Sequence, residues 1–137
     1  MKYLSDYITE AQSELFKELG VFFAFGREQF DKGVEKNKHL KPEGTKWTDM
    51  GAGMFLPSVN REKFLDRHNE IVQAGIKSDL TENGKDKVLQ RELGNHEIGY
   101  SNQRWNDENF LSSIACYGFT EEEIIKGYKY HMKVSDY

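Results

Sequence analysis

The fold of this chain is decided by residues 46–57, which read KWTDMGAGMFLP. Two short runs with aromatic and apolar residues, at 46–50 and 54–56, flank the loop GAG at 51–53. A loop of three residues that contains two glycines is typical of a β-hairpin with a bulged turn. The stretch therefore predicts an antiparallel hairpin in a chain whose other patterns are mainly helical.

The residues before this hairpin predict a helix, a strand and a second helix. Apolar residues recur at helical spacing along 4–19, and Gly20 follows them, as glycine does at many helix ends. The continuously apolar run at 21–25 is typical of a short strand that is buried on both faces. A weaker helical pattern at 27–36 contains Gly33, which lowers the intrinsic stability of a helix.

The residues after the hairpin predict four more helices. Stripes of apolar residues at helical spacing run along 64–80, 88–96 and 110–117. Thr120 and Glu123 then form a capping-box pattern, which indicates that the last helix begins there.

Length and composition fit a single domain. The chain has 137 residues, of which 13% are aromatic, and this is enough for one core built from large side chains. We therefore predict one globular domain at 1–137. Its fold class is α+β, with about six helices packed around a small, mainly antiparallel sheet of three strands.

Charge and cysteine content restrict the environment and the partners. The formal net charge is −4, which disfavours general binding to a phosphate backbone. Cys116 is the one cysteine and lies in an apolar run, so we predict a packed thiol and a reducing compartment. An acid precedes any apolar segment at 1–6, and no apolar run approaches the roughly 18 residues of a membrane span. We expect a cytoplasmic protein without a membrane partner.

The segment at 91–100 carries the richest polar chemistry. On a helix, Glu92 lies four residues before His96 and could orient it as a base or a metal ligand. Gln29, on the turn from the predicted strand to the second helix, is a further candidate. The polar residues of the segment are Arg91, Glu92, Asn95, His96, Glu97 and Tyr100.

The alternative role of this segment is structural, and we favour it. A histidine in the last turn of a helix interacts favourably with the helix dipole, and Arg91 can pair with acids on neighbouring helices. The pair His96 and Glu97 is not a zinc-protease motif, because Tyr100 stands where the second histidine would be. The other histidines, His39, His68 and His131, have no short ligand spacing. We expect no catalytic residue, no metal and no cofactor.

A locally basic stretch at Lys32–Trp47 offers a nucleic-acid alternative. Its lysines, with the neighbouring Trp47, could contact a phosphate backbone. Glu35 and Glu43 dilute that charge, so a solvated surface is the favoured interpretation. The GAG loop at 51–53 lacks the spacing and the ending of a phosphate-binding loop.

Four strings, in this order along the chain, resemble a known family. They are FFAF with the following QF at 22–30, MGAGM at 50–54, ENGKD at 82–86 and RELGNHE at 91–97. The resemblance is to a family of small uncharacterised proteins of tailed phages and bacterial mobile elements, and it covers about 15–125. It implies no catalytic residues, since none are established in that family.

The resemblance implies an accessory protein that acts by binding. Our leading hypothesis is a non-catalytic protein-binding module whose partner is a host or phage protein, and an inhibitor of a defence system is one form of it. One alternative is a small enzyme or ligand-binding domain that uses the segment at 91–100. The other is a nucleic-acid-binding protein that uses Lys32–Trp47.

Overall fold

The computed structural model describes residues 1–99 and 103–134. The chain forms two compact units. We call Ser5–Gly75 the N-terminal unit, and Met1–Leu4 together with the residues from Ile76 onward the C-terminal unit.

The described residues contain six α-helices and three strands, which confirms the predicted α+β class. The strands form one antiparallel sheet in the order β1-β3-β2. Short 3-10 turns lie at Lys38–Leu40, Ser58–Asn60 and Ala115–Tyr117. The elements are α1 Leu4–Leu19, β1 Phe22–Phe23, α2 Arg27–Asn37, β2 Trp47–Gly51, β3 Met54–Pro57, α3 Arg61–Asn83, α4 Lys85–Asn95, α5 Glu108–Ile114 and α6 Glu121–Val134.

The predicted hairpin is confirmed in β2 and β3. Asp49 pairs with Phe55, whereas Gly51, two residues further on, pairs with Met54. The extra residue on β2 is a β-bulge, and it fits a turn built on positive φ angles. Gly51 and Gly53 have φ of +90° and +80°, a region that glycine enters without a steric penalty.

The strand β1 lies at the edge of the sheet, so the prediction of a strand buried on both faces is wrong. It contains two residues and comes first in the strand order. Phe23 is 47% exposed, and Phe25 beyond the end of the strand is 78% exposed. Gln29 Oε1 accepts a hydrogen bond from the Phe25 backbone N–H at 2.8 Å, at the point where the chain leaves the sheet and turns into α2.

The core of the N-terminal unit is formed by apolar residues of α1, β3 and α3, together with Val21 between α1 and β1. Outside this core, Phe22 stacks on Phe55 with 5.7 Å between ring centroids, and Phe30 of α2 packs against both rings. Asn60 Nδ2 donates to the Leu19 carbonyl at 2.9 Å and satisfies an acceptor at the end of α1. The buried members of this core are Leu15, Leu19, Val21, Leu56 and Phe64.

The C-terminal unit has its own buried apolar residues, and the predicted capping box is confirmed. Thr120 Oγ1 accepts from the Glu123 N–H at 3.1 Å, and Glu123 Oε1 accepts from the Thr120 N–H at 2.9 Å. The hydrogen bond from the Thr120 backbone lowers the pKa of Glu123, and a smaller contribution in the same direction comes from the hydrogen bond with Lys85. Buried side chains of this unit include Val88, Leu89, Leu93, Ile98, Phe110, Ile114, Tyr117 and Ile124.

Cys116 is exposed, so the prediction of a packed thiol is wrong. In the 3-10 turn that follows α5, the neighbouring Tyr117 is the buried residue. Partial desolvation still raises the pKa of the Cys116 thiol, which lowers its reactive thiolate fraction.

Among the helices at 1–99 and 103–134, none combines the length and the apolar character needed to cross a membrane.

Candidate functional site

The centre of the polar segment is Arg91, whose guanidinium binds a carboxylate from another helix. Arg91 Nη1 donates to Asp79 Oδ1 at 2.9 Å, and Nη2 donates to Asp79 Oδ2 at 2.8 Å. Asp79 belongs to α3 and Arg91 to α4. This is a bidentate pair, the geometry in which arginine binds a carboxylate most strongly.

The other donors of Arg91 are also used within the protein. Nε and Nη2 donate to Glu92 Oε1 at 3.0 and 2.8 Å, and Nη1 donates to the Lys2 carbonyl at 2.8 Å. Nη2 also lies 2.9 Å from the Tyr117 hydroxyl. A guanidinium has five N–H groups, and these contacts engage all of them. We call Asp79, Arg91, Glu92 and Tyr117 the Arg91 cluster.

The cluster is buried and its members hold fixed charges. The Asp79 side chain is 0% exposed and that of Arg91 is 5% exposed. Burial acts to raise the pKa of Asp79, but hydrogen bonds from Arg91, Asn83 and Tyr117 outweigh it and lower that pKa. The hydrogen bond to Asp79 raises the pKa of Arg91. Asp79 is therefore ionised and Arg91 charged at neutral pH.

Tyr117 completes the cluster as a neutral donor. Its hydroxyl donates to Asp79 Oδ2 at 3.0 Å. Burial, and then the hydrogen bond to Asp79, raise the pKa of the Tyr117 phenol. A general acid or base works best with a pKa near the operating pH, and the shifts of Asp79, Arg91 and Tyr117 lead away from it. The arrangement is suited to bracing helices.

His96 is held by a serine that the sequence does not mark as its partner. His96 Nε2 lies 3.0 Å from Ser113 Oγ, and that hydroxyl lies 2.6 Å from the Phe110 carbonyl. The hydroxyl proton of Ser113 therefore has two acceptors within reach, the Phe110 carbonyl and His96 Nε2, and the tautomer of His96 decides which one it uses. A nucleophile and its base require the serine to donate to the histidine, and the Phe110 carbonyl competes with His96 for that proton.

Glu92 does not orient His96 as it would in a catalytic relay. Its Oε2 lies 3.8 Å from His96 Nε2, the nitrogen that already contacts Ser113. In a relay, the acid binds Nδ1 and leaves Nε2 for the nucleophile. The Glu92 Oε1 atom is committed to Arg91.

The remaining predicted residues do not join the Arg91 cluster. Asn95 and Glu97 are exposed. Gln29 lies in the N-terminal unit, where it caps the end of β1 by accepting from Phe25. Tyr100 lies outside the described residues.

The other histidines are separate from one another. His68 Nε2 lies 3.0 Å from Gln12 Nε2. His131 is buried, and its Nε2 lies 3.1 Å from the Ile98 carbonyl. Within 1–99 and 103–134, no three His, Cys, Asp or Glu side chains are placed to share a metal ion.

Asp79 and Tyr117 are the members of the cluster that sequence reasoning missed. Asp79 occupies an inward position on α3, three residues after the buried Ile76. A charged residue on an apolar stripe must have a partner when it is buried, so an acid at this position of the stripe indicates a buried ion pair. Tyr117 gave no comparable signal, because a tyrosine in an apolar run is an ordinary core residue.

A protein-family model described as a family of unknown function (DUF7659) matches residues 4–134. No curated protein and no solved structure matches the chain.

Proposed function

We propose that this chain, which belongs to a family of unknown function (DUF7659), is a non-catalytic cytoplasmic module that binds another protein. The single observation that supports this most is that every N–H group of the Arg91 guanidinium already donates a hydrogen bond within the protein. All its N–H groups contact acceptors of the same chain, so the residue best suited to hold an anionic ligand is already used for internal bracing.

The state of the histidine segment supports the same proposal. Ser113 and Glu92 both lie against the same nitrogen of His96, Nε2, so the three side chains do not form the relay in which the acid binds Nδ1 and the nucleophile binds Nε2. Because the Arg91 cluster and the pair of Ser113 and His96 stabilise the fold, we expect the protein to bind its partner through its exposed surface. Large apolar side chains on that surface, such as Phe25 and Tyr130, are the kind that protein partners cover.

The partner we propose is a protein of a bacterial host or of a phage. The support is the sequence resemblance, carried by strings such as RELGNHE at 91–97, to small proteins of tailed phages and mobile elements. A phage accessory protein that binds a host defence protein, and so inhibits it, is one form of this function.

The test is capture of the partner followed by measurement with purified proteins. The tagged chain is expressed in the bacterium that carries its gene, and bound proteins are quantified at about 50 mM and at about 200 mM salt. A tagged unrelated domain of similar size and net charge is the control. We expect one protein to be enriched over the control and then to bind the purified chain in calorimetry. Repeated capture at low salt without such a protein would contradict the proposal.

A further inference from the structure

A groove of about 880 Å³ lies on the C-terminal unit between α4 and α6. The two helices approach closely at Gly127, because a Cβ atom there would overlap the Leu89 side chain. Gln90 Nε2 donates to the Gly127 carbonyl at 2.9 Å and ties the helices together at the same level. Leu89 and Gly127 both line the groove, so its floor is a fixed helix–helix contact.

The walls of the groove are largely apolar. Met1, Phe119 and Tyr130 line it together with Leu89. Tyr130 is 57% exposed and Met1 is 64% exposed. Such side chains gain free energy when a partner removes them from water.

The rim of the groove carries an excess of positive charge. Of its charged residues, Arg91 is paired with Asp79 at 2.8 Å, and Lys85 with Glu123 at 3.3 Å. Lys87 and Lys126 also line the groove, against Asp86 as the remaining acid. Among the described residues, no ion pair involves Lys87 or Lys126. A locally basic rim on a chain with a net charge of −4 is complementary to an acidic partner.

We propose that the groove between α4 and α6 binds an acidic amphipathic helix of a partner protein. This inference rests on the proposed function and names the surface and the chemistry of the partner. Two packed helices leave a furrow that fits the apolar face of a third helix. Acids flanking that apolar face would meet Lys87 and Lys126.

The dimensions of the groove set the length of the occupant. α4 has 11 residues and α6 has 14, which correspond to about 16 and 21 Å. A helix of about three turns spans this length. Its apolar residues would follow the spacing i, i+3 or i+4, and i+7.

The first experiment measures the binding of synthetic peptides by fluorescence anisotropy. The probe is a labelled helical peptide of about 12 residues, with leucine and phenylalanine on one face and glutamate on the other. One comparison peptide replaces every glutamate with lysine, and another scrambles the order so that the apolar face is lost. We expect the acidic amphipathic peptide to bind at least about tenfold more tightly than either.

Matched variants locate that binding on the groove. We expect Lys87→Glu with Lys126→Glu to weaken it about tenfold or more. The control pair Lys77→Glu with Lys133→Glu makes the same charge change at exposed positions of the C-terminal unit outside the groove, and should change the affinity less than about twofold. Tyr130→Ala should weaken binding through lost apolar contact, whereas Val134→Ala, equally exposed, should not. Circular dichroism checks that each variant is folded.

Three results would overturn the inference: no binding of the acidic amphipathic peptide, equal weakening by the control pair, or binding of dodecanoate in place of the peptide. The last would assign the groove to an anionic lipid. If a protein partner is captured and the groove variants leave its affinity unchanged, the groove is not its binding site. That result would overturn this inference and leave the proposed function standing.

Discussion

Asp79 is a fully buried carboxylate whose charge is balanced by donors from its own helix, from α4 and from the turn after α5. Asn83 Nδ2 donates to its Oδ1 at 2.9 Å, in addition to the contacts of Arg91 and Tyr117. A buried charge is tolerated when such partners are in place and is costly when one is removed. The stability of the C-terminal unit should therefore be sensitive to this residue.

The first prediction concerns Asp79→Ala. The change leaves the Arg91 guanidinium buried without its main counter-ion, and we expect the free energy of unfolding to fall by about 3–5 kcal/mol. Urea denaturation followed by circular dichroism measures this. As the control, Asp31→Ala removes the acid of an exposed pair with Arg27 and should change stability by less than about 1 kcal/mol. Equal effects of the two variants would contradict the bracing role.

The second prediction is the pH dependence that Asp79 contributes. Its pKa is lowered in the folded protein, so the unfolded chain binds more protons at this site in acid. The contribution is complete above the unfolded pKa, near about pH 4, and is lost as the pH falls through the folded value. We expect the stability of the wild type to fall below about pH 4 more steeply than that of Asp79→Asn. Parallel acid profiles from urea titrations would refute this.

At the scale of elements, α2 is placed by a close approach to the sheet. A Cβ atom at Gly33 would overlap the Phe22 ring. The ring is itself held between Trp47 and Phe55, with centroid distances of 5.4 and 5.7 Å. The glycine that weakens the helix in isolation thus permits its packing.

The third prediction compares two helical glycines. Gly33→Ala should destabilise the protein by about 1–3 kcal/mol, because the added methyl group displaces the Phe22 ring. Gly94→Ala on α4, where a Cβ atom meets nothing within 4 Å, should instead stabilise by up to about 1 kcal/mol, the difference in helix propensity. Thermal unfolding of both variants tests the pair, and stabilisation by Gly33→Ala would show that Phe22 moves aside without cost.

At the scale of the whole molecule, we expect the net charge to disfavour nucleic acid as the partner. The chain has a net charge of −4. Within the basic stretch Lys32–Trp47, Lys32 pairs with Glu28 at 3.3 Å and Lys38 with Glu35 at 2.7 Å. These exposed pairs reduce the positive charge that the stretch offers to a phosphate backbone.

The fourth prediction follows from this balance. We expect no mobility shift of DNA or RNA by the chain at about 50 mM salt, where electrostatic binding is strong. A shift that weakens steeply at about 200 mM salt, and that Lys36→Glu with Lys46→Glu abolishes, would restore the nucleic-acid alternative.

The sequence by itself determined the local elements of this protein. The hairpin at 46–57, the capping box of Thr120 and Glu123 and the positions of the helices were all predicted. They depend on glycine φ angles, side-chain spacing and contacts within about four residues, which are visible along the chain.

Only the tertiary structure decided where the buried polar groups found partners and which apolar runs stayed exposed. Arg91 contacts groups that are 12, 26 and 89 residues away in sequence, at Asp79, Tyr117 and Lys2. Phe25 is exposed beyond the end of β1, where the chain leaves the sheet, which an apolar run does not encode. Partners that meet through folding follow from the packing of whole elements, since spacing along the chain carries no record of them.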